Sequence, residues 1–234
     1  MGMKRAGMIA GLLVVAAVSA GCGLGGPLDE DTKSYDVTDK VAGIRVGSDS
    51  GTVEVVESDR QGIHVTEHLV WRKNKPETSH GVEGDTLALT YKCPRTWGLG
   101  SGGVACDVNY KVEIPKGLRV KITSDSGDLT LKDLSGEVDV HSDSGVIEAS
   151  GLSGKRVVTE TDSGDVELAF TAQPDKVVSS SDSGAVTVRV PQGPYHVITK
   201  TDSGSKHVTA ANDASAPRTI EVSSDSGDLE VVTP

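Results

Sequence analysis

The sequence predicts an all-β fold: a β-solenoid, or β-helix-like stack, of two-strand repeats of about 19 residues, broken by one disulfide-tied loop excursion. Three observations predict it. The tetrapeptide Ser-Asp-Ser-Gly or Thr-Asp-Ser-Gly is written seven times, ending on Gly51, Gly127, Gly145, Gly164, Gly184, Gly204 and Gly227. From Gly127 onward the intervals are 18, 19, 20, 20 and 23 residues, and the first gap of 76 is close to four such periods. Apolar residues then recur at every second position on both sides of each glycine, as in half-buried strands.

Aligned on the glycine, the copies form columns. Seven residues before it stand Ile44, Val120, Val138, Val157, Val177, Val197 and Ile220, all β-branched. Three before it the residue is always Ser or Thr. Two after it come Val53, Leu129, Ile147, Val166, Val186, Lys206 and Leu229. Each unit is therefore strand, Asp-Ser-Gly turn, strand. Asp and Ser side chains can hydrogen-bond nearby backbone groups, and Gly takes positive φ without a Cβ clash. One unit cannot bury its apolar stripe alone, whereas units stacked about 4.8 Å apart bury the columns as continuous ladders. Leu134-Ser135-Gly136, Leu152-Ser153-Gly154 and Pro191-Gln192-Gly193 read as a short variable third side. An up-and-down meander is the alternative fold. The intervals are too short for βαβ units, and no helical periodicity follows the N-terminus. Lys206 is the misfit of its column and is expected to snorkel out near the C-terminal end.

Composition frames the rest. The chain has 234 residues, 28 glycines and a net charge of −11. Residues 1–21 read as a lipoprotein signal peptide. Lys4 and Arg5 precede an uncharged apolar run from Ala6 to Ala20, and Ser19-Ala20-Gly21-Cys22 resembles a lipobox, so Cys22 is the expected lipidation site. An uncleaved anchor is the alternative. Either reading attaches the domain to the membrane's extracellular face. Removal of the two leader cations from a chain of −11 leaves −13, which argues against nucleic-acid partners.

Residues 22–39 are Gly-rich, then acidic, and read as a flexible linker. The β-strand-repeat domain is 40–234, with an irregular part at 58–119 and regular repeats over 117–233. Within the irregular part, Gly62–Trp71, Asp85–Cys93 and Cys106–Ile114 alternate like strands. Cys93 and Cys106 bracket a Gly-rich loop carrying Trp97. They are the cysteines left after lipidation, and export favours a disulfide between them. Trp97 is a candidate contact for a protein or glycan partner, or a cover for apolar surface. The final repeat is expected to expose a strand edge, with Pro234 as a mild guard.

The candidate chemistry is sparse. Asp49, Asp125, Asp143, Asp162, Asp182, Asp202 and Asp225 form a column that reads as turn structure. The alternative is calcium held between coils. Calcium wants about six to eight oxygens, and the Gly-Gly-x-Gly-x-Asp spacing of calcium β-rolls is missing. His64-Val65-Thr66-Glu67-His68 matches the H-x-x-E-H pattern of inverted zinc peptidases, which needs a helix. Here strand alternation sets Glu67 on the opposite face from His64 and His68. The repeated serines lack a recurring histidine, and no nucleophile elbow, P-loop or dinucleotide fingerprint is present. No catalytic residue and no cofactor are assigned, and a polysaccharide-active enzyme is the remote alternative.

With a lipobox followed by tandem units such as SDSGDLTLKDLSGEVDVHSDSGVIEASGLSG, the chain resembles the DUF4097 family of bacterial β-strand-repeat proteins, which carry an adhesin label. The resemblance spans Val41–Val232 and is strongest over Gly117–Leu168. It implies a surface-exposed solenoid-like domain without established catalysis, so no catalytic residue carries over. The Cys93–Cys106 excursion departs from the plain repeat. The expected function is that of an anchored, non-catalytic structural or adhesin-like binding module of the envelope.

Overall fold

Strand and turn alternate along the chain where the period-2 runs and the glycines fall, and neighbouring copies pair to form the stack. A computed structural model describes residues 27–94 and 105–233. Cys22, Trp97 and the signal segment lie outside the described residues. The strands are β1 Asp29–Val37, β2 Gly43–Ser48, β3 Val53–Ser58, β4 Ile63–Trp71, β5 Glu77–Glu83, β6 Thr86–Lys92 and β7 Cys106–Pro115. They continue as β8 Arg119–Ser126, β9 Leu129–Lys132, β10 Val138–Ser144, β11 Ile147–Leu152, β12 Arg156–Ser163, β13 Val166–Phe170 and β14 Lys176–Ser183. Last come β15 Val186–Arg189, β16 Pro194–Ser203, β17 Lys206–Val208, β18 Ala211–Asn212, β19 Thr219–Ser226 and β20 Leu229–Val232.

Each repeat gives one strand to each of two facing sheets. Sheet I runs β1-β4-β7-β3-β9-β11-β13-β15-β20-β17, and sheet II runs β18-β16-β19-β14-β12-β10-β8-β2-β6-β5. Repeat strands pair in parallel and in register, Val120 with Val138 and Val138 with Val157 in sheet II, Ile147 with Val166 in sheet I. The parallel pairing rules out the meander and makes the fold a β-solenoid. The apolar columns meet between the sheets: Val138, Val157, Val177, Leu129, Ile147 and Val166 are all buried in one continuous core.

Three sequence expectations change. Asp29–Val37, read as linker, is strand β1, paired antiparallel with β4 from Asp29–Trp71 to Val37–Ile63. The 76-residue gap does not hold four regular coils. The first coil, β2/β3, pairs directly with β8/β9, while β4 to β7 stack on its other side as a cap that includes antiparallel pairs. The last repeat is not the edge. Coil β19/β20 lies between β14/β15 and β16/β17, so the outermost coil is the penultimate one in sequence.

That inversion has a physical cause in the columns. Ile220, Val222, Leu229 and Val231 of the final repeat are fully buried, as a coil covered on both sides requires. The penultimate repeat has Lys206 where the final one has Leu229. An inner position would bury the Lys206 ammonium without a counter-charge. At the end of the stack Lys206 is exposed and its Nζ donates to the Thr199 carbonyl at 3.2 Å.

Candidate binding surface

The Asp-Ser-Gly turns line one corner of the stack. There Gly145 N–H donates to the Ser163 carbonyl at 3.1 Å, and Gly164 N–H to that of Ser183 at 2.9 Å. Coils approach so closely at this corner that a Cβ on Gly145 would lie 2.3 Å from the Gly127 oxygen. Only glycine fits such a contact. The Ser/Thr column points inward beneath it. Ser142 Oγ donates to the Ser144 carbonyl of its own turn, whereas Ser181 Oγ and Ser224 Oγ donate across to Gly164 and Gly184. Thr161, where the pattern changes, is buried, and its hydroxyl has no hydrogen-bond partner among the described residues.

The seven column aspartates are all exposed along this corner. Among the described residues none of their carboxylates receives a hydrogen bond from the backbone. His141 Nε2 lies 3.6 Å from Asp143 Oδ1. The acids that order the corner are those just after the glycine. Asp128 Oδ1 accepts from Val146 N–H at 3.0 Å, Asp165 Oδ1 from Ala185 N–H at 2.8 Å, and Asp228 Oδ1 from Ser205 N–H at 2.7 Å. The Ser205 hydrogen bonds hold the Asp228 carboxyl below its ordinary range. The signal was present as Gly-Asp in three copies. Among the described residues, no three His, Cys, Asp or Glu side chains come together as a metal site.

At the other end of the stack, β1 and β5 close the gap between the sheets. The Tyr35 and His80 rings stack at 4.2 Å, and Lys33 Nζ donates to Thr78 Oγ1 at 3.1 Å. Glu67 points inward with Ile63, Val65 and Leu69 and is 1% exposed; it accepts from the Tyr35 hydroxyl at 2.7 Å. Burial, then the Glu67 hydrogen bond, push the Tyr35 phenol well above its ordinary range. His64 and His68 face the other way, toward Asp36 and Thr32, so His64, Glu67 and His68 cannot share a zinc ion. Cys93 and Cys106 form the expected disulfide, tying the end of β6 in sheet II to β7 in sheet I.

The outer face of sheet II carries a shallow groove of about 280 Å³ across β2, β8, β10 and β12. Arg45, Arg119, Lys121 and Arg156 line it together with Glu137 and Asp139. Arg119 pairs with Asp85 at 2.6 Å and Lys121 with Asp139 at 3.3 Å, while Arg45 pairs with Glu83. No ion pair engages Arg156 among the described residues. These groups were not singled out from the sequence. The available signal was the position eight before glycine, where Arg119, Arg156 and Lys176 recur.

Two facing, mainly parallel sheets built from tandem Asp-Ser-Gly coils define a repeat scaffold with polar, outward-facing surfaces. The chain belongs to the Toastrack DUF4097 family, whose profile matches residues 107–232, more than half of the sequence. The fold is similar to that of a candidate cell adhesion protein from Clostridium sporogenes, with a TM-score of 0.54 and 13% identity over 88% of this chain and 100% of that one. A candidate adhesin from Bacteroides fragilis is similar at a TM-score of 0.49 and 15% identity, over 87% of this chain and 97% of that one. No functionally curated protein matches the chain.

Proposed function

We propose that this protein is a non-catalytic binding module held at the extracellular face of a bacterial membrane by a lipid on Cys22. The observation that carries the binding role is the sheet II groove, an open, water-accessible surface with fixed Arg, Lys and acid side chains. A shallow site of mixed charge suits the polar groups of a glycan or a protein surface. The adhesion description of the Clostridium sporogenes protein supports the same reading. Coils locked at the glycine corner hold the groove's strands in fixed register, so little ordering entropy opposes binding.

The test uses the full-length protein in liposomes, co-sedimented with isolated cell-wall glycan and, separately, with intact cells. Binding is expected, with Arg156→Glu weakening it about tenfold and Arg156→Lys much less. Binding unaffected by Arg156→Glu would remove the groove from the reading. Release of soluble sugar fragments would replace a binding module with an enzyme. Cys22→Ala is expected to move the protein out of the membrane fraction; unchanged membrane association would overturn the lipid anchor.

A further inference from the structure

The two ends of the solenoid differ in charge and share a concentration of exposed apolar side chains. Leu28, just before β1, is 46% exposed and Val82 on β5 is 42% exposed, both at the capped end. Ile198 on β16 is 40% exposed and Val208 on β17 is 38% exposed, both on the outermost coil at the opposite end. Among the described residues the remaining exposed large apolar side chain is Val146, in the turn after Gly145.

Among the described residues, both ends also present unpaired strand edges. β1 and β17 terminate sheet I, and β5 and β18 terminate sheet II. At the outermost coil β18 covers only Pro194 and Tyr195. The Asn212 side chain extends that cover by one residue, accepting from Val197 N–H at 3.0 Å and donating to the Val197 carbonyl at 3.3 Å. Among the described residues, no strand lies beside the outer edge of β16 beyond Val197 or beside the side of β17 that faces away from β20.

The charges on these edges are complementary. β1 carries Asp29, Glu30, Asp31 and Asp36 against Lys33, and β5 carries Glu77 and Glu83 with His80. Asp31, Asp36 and Glu83 are ion-paired to Lys75, Arg60 and Arg45, so Asp29, Glu30 and Glu77 are the acids this edge presents to a partner. β16 and β17 carry Lys200 and Lys206 with His196 and His207, against Asp202. Two copies of the basic end would place lysine against lysine, whereas a basic end meets an acidic end favourably. Direction permits this too: β1 is antiparallel to β4, which is antiparallel to β7, so β1 runs the same way as the coil strands of sheet I, including β17.

We propose that the open β16/β17 edge of one copy receives the β1/β5 edge of a second copy, extending the sheets head to tail. Lysine on an open edge guards against indiscriminate strand pairing; here it also selects an acidic partner edge. Such a contact uses different surfaces on the two subunits and does not close, so it generates a series of oligomers rather than a dimer.

The experiment is cysteine cross-linking of the full-length chain in detergent, with micelles in excess of protein, using a short bismaleimide. A chain carrying Ser34→Cys on β1 and Val208→Cys on β17 is expected to give a ladder of dimers, trimers and higher species. Either cysteine alone should leave monomer. A dimer from Val208→Cys alone would mean the basic ends meet each other, and monomer from the double-cysteine chain would mean the ends do not associate; both overturn the proposal. Adding Lys200→Glu with Lys206→Glu should reduce the ladder about tenfold. Adding Asp29→Lys with Glu30→Lys to that variant should restore it, which a misfolded chain could not do. A ladder insensitive to the charge reversals would overturn the proposal as well.

Discussion

The Gly164 carbonyl oxygen lies 2.1 Å from where a Cβ on Gly184 would stand. The same contact joins Gly145 to Gly127 and Gly227 to Gly184, so the corner is a ladder of carbonyls resting on glycine α-carbons. Gly164→Ala would meet the Gly145 oxygen at 2.0 Å and force a side chain onto a backbone held at φ +145°. Strain and overpacking together should cost about 3 kcal/mol or more. Gly81→Ala, with nothing within 4 Å of its Cβ, is the control and should stay within about 0.5 kcal/mol. Urea midpoints of the two variants check this.

The order of the last two coils rests on which repeat tolerates burial. Leu229→Lys places a charge in a column position that is fully buried, and should destabilise by at least about 4 kcal/mol. Val208→Lys makes the same kind of change on the exposed outer coil and should cost about 1 kcal/mol or less. Equal losses in the two unfolding curves would contradict the inverted order.

The sequence carried the core well and the stacking order poorly, for one reason. An inward column is written in each repeat separately, as in Val138, Val140, Ile147 and Ala149, so period 2 reveals it. Neighbour choice depends on differences between near-identical repeats, and Lys206 was the single residue that recorded it. β1 was missed because a strand at a sheet edge needs no apolar alternation; Asp31 and Lys33 occupy its middle. The groove was missed because Arg45, Arg119 and Arg156 come together only once the order β2-β8-β10-β12 is known. The disulfide was legible because Cys93 and Cys106 flank one loop and the chain has one other cysteine.

Reduction of the Cys93–Cys106 bond should lower stability by about 3 kcal/mol, the loop-closure entropy for a separation of 13 residues. Melts of the full-length chain with and without a phosphine reductant measure it. Cys93→Ser with Cys106→Ser should reproduce the reduced value, and an unchanged melt would show that the cap is held by strand pairing alone.

The column aspartates stand in register, since Ser142 pairs with Thr161 and Ser144 with Ser163 on either side of Asp143 and Asp162. At a coil spacing of about 4.8 Å, neighbouring carboxylates repel by about 0.9 kcal/mol in water, less with salt. Asp143→Asn with Asp162→Asn should therefore raise stability slightly at low ionic strength, and sodium chloride should narrow the difference. Calcium at matched ionic strength should do no more than magnesium. A calcium-specific rise in melting temperature of several degrees, lost in the double variant, would make the column an ion site.

Acid should loosen the two ends of the stack first. The Lys75 hydrogen bond holds the Asp31 carboxyl on β1 below its ordinary value of 3.8, the His64 hydrogen bond does the same for Asp36, and the Ser205 hydrogen bonds for Asp228. A carboxyl depressed in the folded state adds stability that is fully present above its unfolded value and is lost as pH falls through the folded one. Stability should thus hold down to about pH 5 and decline below about pH 4. Asp228 ties β20 to the outermost coil and Asp31 and Asp36 belong to β1, so amide exchange in β17 and β1 should accelerate before exchange in β12 and β13. Simultaneous acceleration through the whole stack would show that these carboxyls do not govern the ends.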